Sequence, residues 1–215
     1  MKNINSRNEK LAQRVLKALE KRNFEAFFTN TKQDALKCVI SLISKEESVS
    51  WGGSITLDEL KIKDYLKQNG YKTIDRDEAK TPEERQELLY RSITPDVFLM
   101  SSNAISEDGE LVNIDGLGNR LAALCFGAKK VIVVAGMNKV VKKLEDALTR
   151  ARNFAAPVNA QRINSLSTIQ TPCIELGYCM DCKSETSICC QVLTTRLSRP
   201  KGRIKVVLVN DTLGY

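Results

Sequence analysis

Apolar positions near the amino terminus recur at helical spacing. Leu11, Val15, Leu16 and Leu19 share one face, and Ala35, Leu36, Val39, Ile40, Leu42 and Ile43 share another. Residues 1–47 are therefore read as N-terminal helices. The period then changes. Residues 48–51 form a short extended run that ends in Gly52-Gly53-Ser54, Thr56 is placed to cap a helix, and residues 57–68 continue as that helix up to Asn69-Gly70. Residues 71–74 read as a strand, 81–93 as a helix with Pro82 in its first turn, and 96–102 as another strand.

Further along, residues 96–115 read as a hairpin turned at Asp108-Gly109, and 116–127 as a glycine turn with a short helix. Residues 129–136 read as a strand whose run from Val131 to Ala135 is continuously apolar, as in a strand buried on both faces. A long helix is expected over 138–156 and a last strand over 203–211. Alternation of this kind predicts an α/β domain with a largely parallel, helix-covered sheet. The chain shows no internal repeat and no linker, so residues 1–215 are read as one domain.

A chain of 215 residues buries enough surface to fold without covalent staples. It has no apolar run of about 18 residues or more, and no apolar core follows the opening charges as in a secretion signal. The expectation is a cytoplasmic protein with no membrane partner. The net charge of +7 suggests nucleic acid at first, but the basic residues are interleaved with acids along helical stretches. No basic-aromatic pattern offers a stacking platform, so nucleic acid is not expected as a partner. There is no histidine, which excludes histidine-based nucleophile arrangements and every histidine-ligated metal site.

In open α/β sheets ligands gather at the carboxyl ends of the strands. Two glycine-rich loops occupy such places: residues 51–54, and residues 115–120 with Asn119 and Arg120 as donors. Each offers bare amides at a helix start, where an anion is favoured, although strand-to-helix turns need glycine for backbone reasons as well. Together they predict one anion-binding cleft. Neither has the spacing of a dinucleotide fingerprint.

Residues 48–60, 99–124, 129–141 and 208–215 resemble the lactate-utilisation (LUD) domain family, in its cysteine-bearing single-domain subset. The stretch from Ser101 to Arg120 carries the most specific part of that resemblance. It implies a three-layer Rossmann-like fold akin to sugar-phosphate isomerases and CoA transferases, and a link to iron-sulfur-dependent oxidation of lactate. It also implies one cleft wall made by Gly52, Gly53 and Ser54, and another by Asn103, Asp115, Gly116, Gly118, Asn119 and Arg120. Arg120 is the candidate clamp for a carboxylate or phosphate. Asp115 is a candidate base, with a turn or helix cap as its plainer role.

Five of the seven cysteines fall within residues 172–190, a segment ahead of the last expected strand. In a reducing compartment such a cluster holds a metal or reacts more often than it forms disulfides. Cys173, Cys179, Cys182 and Cys189 have the spacing C-x5-C-x2-C-x6-C, with Cys190 as the alternative fourth ligand. Four thiolates suit a [4Fe-4S] cluster, the preferred cofactor, or one zinc ion. Cys38 and Cys125 read as small core residues. The expected function is that of a subunit or accessory of a small 2-hydroxy-acid oxidation system, passing electrons to redox partner proteins and binding a small anionic metabolite. The alternative is an isomerase- or CoA-transferase-like enzyme with a structural zinc. A third role for the cysteine segment is a homo-oligomer interface.

Overall fold

A computed structural model describes residues 2–167 and 169–215. The chain runs α1 (Lys2–Lys21), β1 (Glu25–Thr29), α2 (Lys32–Ser41), β2 (Ser48–Trp51), α3 (Ile55–Glu59), α4 (Ile62–Gln68), β3 (Lys72–Ile74), α5 (Pro82–Arg91) and β4 (Val97–Met100). It continues through β5 (Ala104–Ser106), β6 (Leu111–Asp115), α6 (Asn119–Ala122), β7 (Lys130–Gly136), β8 (Val140–Val141), α7 (Leu144–Arg150) and α8 (Ala156–Asn164). The final elements are α9 (Pro172–Leu176), β9 (Gln191–Thr195) and β10 (Ile204–Val209).

The main sheet has six strands in the order β1-β10-β7-β4-β2-β3, and every pairing in it is parallel. Side chains alternate across it, so each strand feeds two cores. Val131, Val133, Val206 and Leu208 pack on one face under Leu11, Ala12, Val15 and Leu19 of α1. Ile132, Val134, Val207 and Val209 pack on the other, under Ala35 and Val39 of α2 and Leu57, Ile62 and Leu66 of α3 and α4. Burying each such aliphatic side chain contributes about 2 kcal/mol, which makes the central strands the most strongly held part of the chain. This is the three-layer α/β architecture that the alternation predicts.

Several local readings need correction. Residues 1–47 are not helices throughout, because Glu25–Thr29 forms the edge strand β1 beside β10. Its five residues are too few to show a period between two strong helices. The N-cap after the first glycine loop is Ser54, whose hydroxyl accepts from Leu57 N at 3.4 Å. Thr56 is buried within that helix instead. The helix expected over 57–68 is broken at Lys61, which adopts a left-handed φ of 54°. The helix expected over 138–156 begins only at Leu144, since Val140 and Val141 pair with Ile105 and Ser106 as β8.

A second sheet of four strands, β8-β5-β6-β9, was not foreseen. The turn at Asp108-Gly109 joins β5 to β6 in antiparallel pairing, while β4 belongs to the main sheet, so the hairpin is shorter than expected. The cysteine segment precedes β9 rather than the last strand directly, and it contains the short helix α9. The small sheet packs Ala104, Val112 and Ile114 against Ala147, Ala151 and Ala156 near α7 and α8. That packing places β6 between the main sheet's rim and the cysteines.

Candidate functional site

Five strands of the parallel sheet end on one rim. From β2 come Gly53 and Ser54, from β3 Arg76, from β4 Ser101 to Asn103, from β7 Lys139, and from beyond β10 Gly214 and Tyr215. With the β6–α6 turn and α8 they enclose a cavity of about 470 Å³. The predicted residues Gly53, Ser54, Asn103, Asp115, Gly116, Asn119 and Arg120 all line it. The second glycine loop does so from the small sheet, so the two loops are not equivalent in topology.

Gly52 and Gly118 stand behind the cavity. A Cβ at Gly52 would lie 2.5 Å from Cδ and 2.8 Å from Cγ of Arg120, so the bare α-carbon is what lets that arginine's stem pass. Gly118 has φ +83°, the left-handed conformation from which α6 starts. Both glycines therefore shape the site without lining it.

Asp115 is buried and its oxygens are committed. Oδ2 accepts from Arg120 N at 3.0 Å and Leu121 N at 3.3 Å, capping α6, and Oδ1 lies 3.3 Å from Arg120 Nη2. That nitrogen also donates to the Ile114 carbonyl at 2.5 Å. The carboxylate thus acts as cap and tether, the plainer of its two expected roles, and it presents the rest of the Arg120 guanidinium to the cavity. Asn103 is similarly occupied, since its Oδ1 accepts from Ile114 N at 2.8 Å and pins the hairpin.

The most chemically active lining residues escaped the sequence reading. The Nη2 atoms of Arg76 and Arg162 lie 3.5 and 4.0 Å from the point where a Gly53 Cβ would stand. Burial pushes the Arg76 pKa down, and nearby Arg85 and Arg120 disfavour its charge further, against the pull of Asp77. Arg162 Nε donates to Tyr215 Oη at 2.7 Å and to Asn159 Oδ1 at 3.1 Å. Burial raises the Tyr215 phenol, with Arg162 opposing. Lys139 is only 3% exposed, and its Nζ donates to Thr56 Oγ1 at 3.1 Å and Ser101 Oγ at 3.0 Å. Burial, and after it the charge of Arg150, lowers its pKa to about 7, while Glu59 pulls the other way.

Arg76, Arg85, Arg120, Lys139 and Arg162 thus face the cavity, with Asp115 as the acid among its lining residues. At about 5 Å and an effective dielectric near 20, an unpaired guanidinium among them is worth at most about 3 kcal/mol to a bound anion. Arg76 and Lys139 follow the ends of β3 and β7, Arg120 belongs to the second glycine loop, and Arg85 and Arg162 reach the cavity from α5 and α8.

Cys173, Cys179, Cys182 and Cys189 line a second space of about 180 Å³ next to the first. Ile114, Ala156 and Ile188 line both, so the two chambers share a wall of three side chains. Burial, reinforced by the other thiols of the segment, raises the Cys189 pKa to about 11. Asp181 N donates to Cys179 Sγ at 3.4 Å, and Arg152 pairs with Asp181 at the chamber's mouth. Cys190 is exposed, does not line the chamber, and donates to the Ser187 carbonyl at 3.3 Å. All seven thiols are free. Among the described residues no group of three or more acids and cysteines converges as for a single metal ion. Cys38, on α2, packs half-buried against the core, as expected of a core residue, but Cys125 is exposed and is not one.

A three-layer sheet with a polar cavity at its carboxyl rim places the protein in the open-sheet α/β class. Within that class it belongs to the LUD domain family, whose model matches residues 12–209 and ties the chain to lactate utilisation. A DUF162 family protein from Deinococcus radiodurans has a similar fold, with a TM-score of 0.54 at 9% identity over 95% of this chain and 98% of that one. Ribose 5-phosphate isomerase A from Neisseria gonorrhoeae aligns at 16% identity and a TM-score of 0.34, over 53% of this chain and 54% of its own. The delta subunit of eIF2B from Chaetomium thermophilum aligns at 18% identity and 0.36, over 54% and 50%. Likenesses of that size carry no functional argument. No curated protein matches the chain, and among the described residues no helix is long and apolar enough to cross a membrane.

Proposed function

We propose that this LUD-family protein binds a small anionic metabolite, a short 2-hydroxy or 2-oxo acid, in the basic cavity and a [4Fe-4S] cluster in the cysteine chamber. In this reading it serves lactate oxidation as an electron-transferring subunit that hands electrons to a redox partner. The observation that carries the proposal is the shared wall: Ile114, Ala156 and Ile188 border both spaces.

The cysteine chamber suits a cluster chemically. Cys173, Cys179, Cys182 and Cys189 would be the ligands, the walls include Ile114, Pro157, Ile188 and Val192, and Asp181 N already points at a sulfur. A single tetrahedral zinc needs its sulfurs within roughly 4 Å of one another. Thiols spread around a chamber of about 180 Å³ fit a larger group better. When bound, such a cluster supplies one-electron transfer. The chain's own contribution is to hold it by thiolate, balance its charge with Arg152 and Lys183, and keep water out with the apolar wall.

The test is iron, zinc and acid-labile sulfide per chain on anaerobically purified protein, wild type and Cys182→Ala. The proposal expects about four irons and four sulfides, lost in the variant. One zinc without sulfide would sink it and promote the second reading, a stand-alone isomerase- or CoA-transferase-like enzyme. That reading draws support from the number of guanidinium groups, since Arg76, Arg120 and Arg162 exceed what one carboxylate occupies. Thermal stabilisation by sugar phosphates or CoA, and not by short acids, would favour it.

A further inference from the structure

We propose that Lys139 is a nucleophilic amine which condenses with the carbonyl of a small anionic oxo compound, such as a 2-oxo acid, held in the basic cavity. The inference rests on that cavity being a metabolite site and adds a covalent step to it.

The case starts from what surrounds the amine. Buried lysines of purely structural use are normally paired with a carboxylate, because an unpaired buried charge is costly. Lys139 meets hydroxyls instead: Thr56 at 3.1 Å and Ser101 at 3.0 Å. Both hydroxyls have further acceptors, the Leu213 and Ser102 carbonyls, each at 3.4 Å. They can therefore hold the nitrogen in place without neutralising a charge on it. The nearby charged groups are Arg150 of α7, which opposes protonation, and Glu59 of α3, which favours it. Desolvation beside another cation is the arrangement that activates a lysine as a nucleophile.

Position supplies the rest. Lys139 sits at the carboxyl end of β7, in the same cavity as Arg76, Arg120 and Arg162. Its partner Thr56 is three residues from Gly53, the point that the Arg76 and Arg162 guanidinium groups approach. Three residues span at most about 11 Å of chain, so the anion clamp and the amine open onto the same part of the cavity. A small compound that carries both an anionic group and a carbonyl can engage the two together.

The step balances without a further reactant. The nitrogen lone pair attacks the carbonyl carbon, a C–N bond forms, the C–O bond breaks, and the oxygen leaves as water with one proton from the amine and one from solvent. The product is a protonated imine on Lys139 that carries the positive charge. Ser101 and Thr56 stand at hydrogen-bond distance from the nitrogen and can relay the protons.

The experiment incubates the protein as isolated with pyruvate or glyoxylate and cyanoborohydride near neutral pH, then maps modified peptides by mass. The expected result is reductive alkylation of Lys139 at least about tenfold faster than of any surface lysine, suppressed by excess inorganic phosphate. Lys139→Met should abolish the label. Arg76→Gln, which leaves the amine in place, should slow labelling about tenfold through loss of the anion's clamp. If pyruvate raises the melting temperature but Lys139 is not labelled ahead of the other lysines, the covalent step is wrong and the metabolite cavity stands. If there is neither stabilisation nor labelling, both fail.

Discussion

Replacing Lys139 by methionine should make the protein more stable at neutral pH and less stable at high pH. An ordinary lysine titrates at 10.5, and Lys139 is lowered to about 7, chiefly by burial. Between those values the unfolded chain binds a proton that the folded chain does not, so wild-type stability rises with pH across that window. Below about pH 7 both states bind the proton and the folded protein bears the whole penalty. At about 1.4 kcal/mol per pH unit, it amounts to about 5 kcal/mol. Methionine fills a similar volume and removes the penalty, but it forfeits the bonds to Thr56 and Ser101. Those are worth about 1 kcal/mol each. The net is a gain of about 3 kcal/mol near pH 6.5, or on the order of 6–12 °C in melting temperature for a chain this size. The two stability curves should cross at about pH 9, where the remaining penalty equals the lost bonds. Guanidinium unfolding of both proteins across this pH range measures the difference directly, since every other titrating group is common to both. Parallel curves, with methionine less stable at every pH, would show that the amine is charged and well compensated, and would refute the reasoning.

Other substitutions separate shape from chemistry in the same site. Gly52→Ala forces a methyl against the stem of Arg120 and should cost about 1–3 kcal/mol of stability by denaturant unfolding, along with affinity for short carboxylates by calorimetry. Asp115→Asn loses the ion pair to Arg120 and weakens the cap on α6, so destabilisation of about 1–2 kcal/mol is expected. Any ligand that still binds this variant should do so with an unchanged pH profile if the carboxylate serves only as cap and tether; a lost limb of the profile would restore it as a base. Cys190→Ser should keep the metal content of wild type, whereas Cys189→Ser should lose it, since only Cys189 faces the chamber. Metal analysis of the two variants side by side decides the point.

The main sheet was legible because its strands announce themselves. Residues 131–135 and 206–209 are apolar without interruption, as in a strand covered on both faces, and the helices between carry regular stripes. The small sheet lacked such signals. β8 is two valines that read equally well as the start of a helix, and β9 is mostly half-exposed behind the cysteines. Each is a strand only because β5 or β6 is there to pair with it, and no local pattern records a partner 35 or more residues away.

The site divides the same way, by how far each residue's role depends on distant neighbours. Glycine loops mark themselves through backbone needs, so Gly53, Gly116 and Asn119 were found where they stand. Arg76 and Arg162 look in sequence like any solvated helix-end charge, and nothing within ten residues of either hints that both turn towards Gly53. Lys139 is the sharpest case. On its own stretch it reads as one basic position in an amphipathic helix, yet it is buried in the cavity with two hydroxyls supplied from α3 and from the residue after β4. A buried amine held this way costs the fold several kilocalories per mole that an apolar residue would return. For a lysine placed at such expense, with no carboxylate bonded to its nitrogen, the hydrogen bonds to Thr56 and Ser101 return less than the burial costs. What the arrangement does supply is an amine that loses its proton near neutral pH next to an anion clamp, the combination that the proposed covalent step requires.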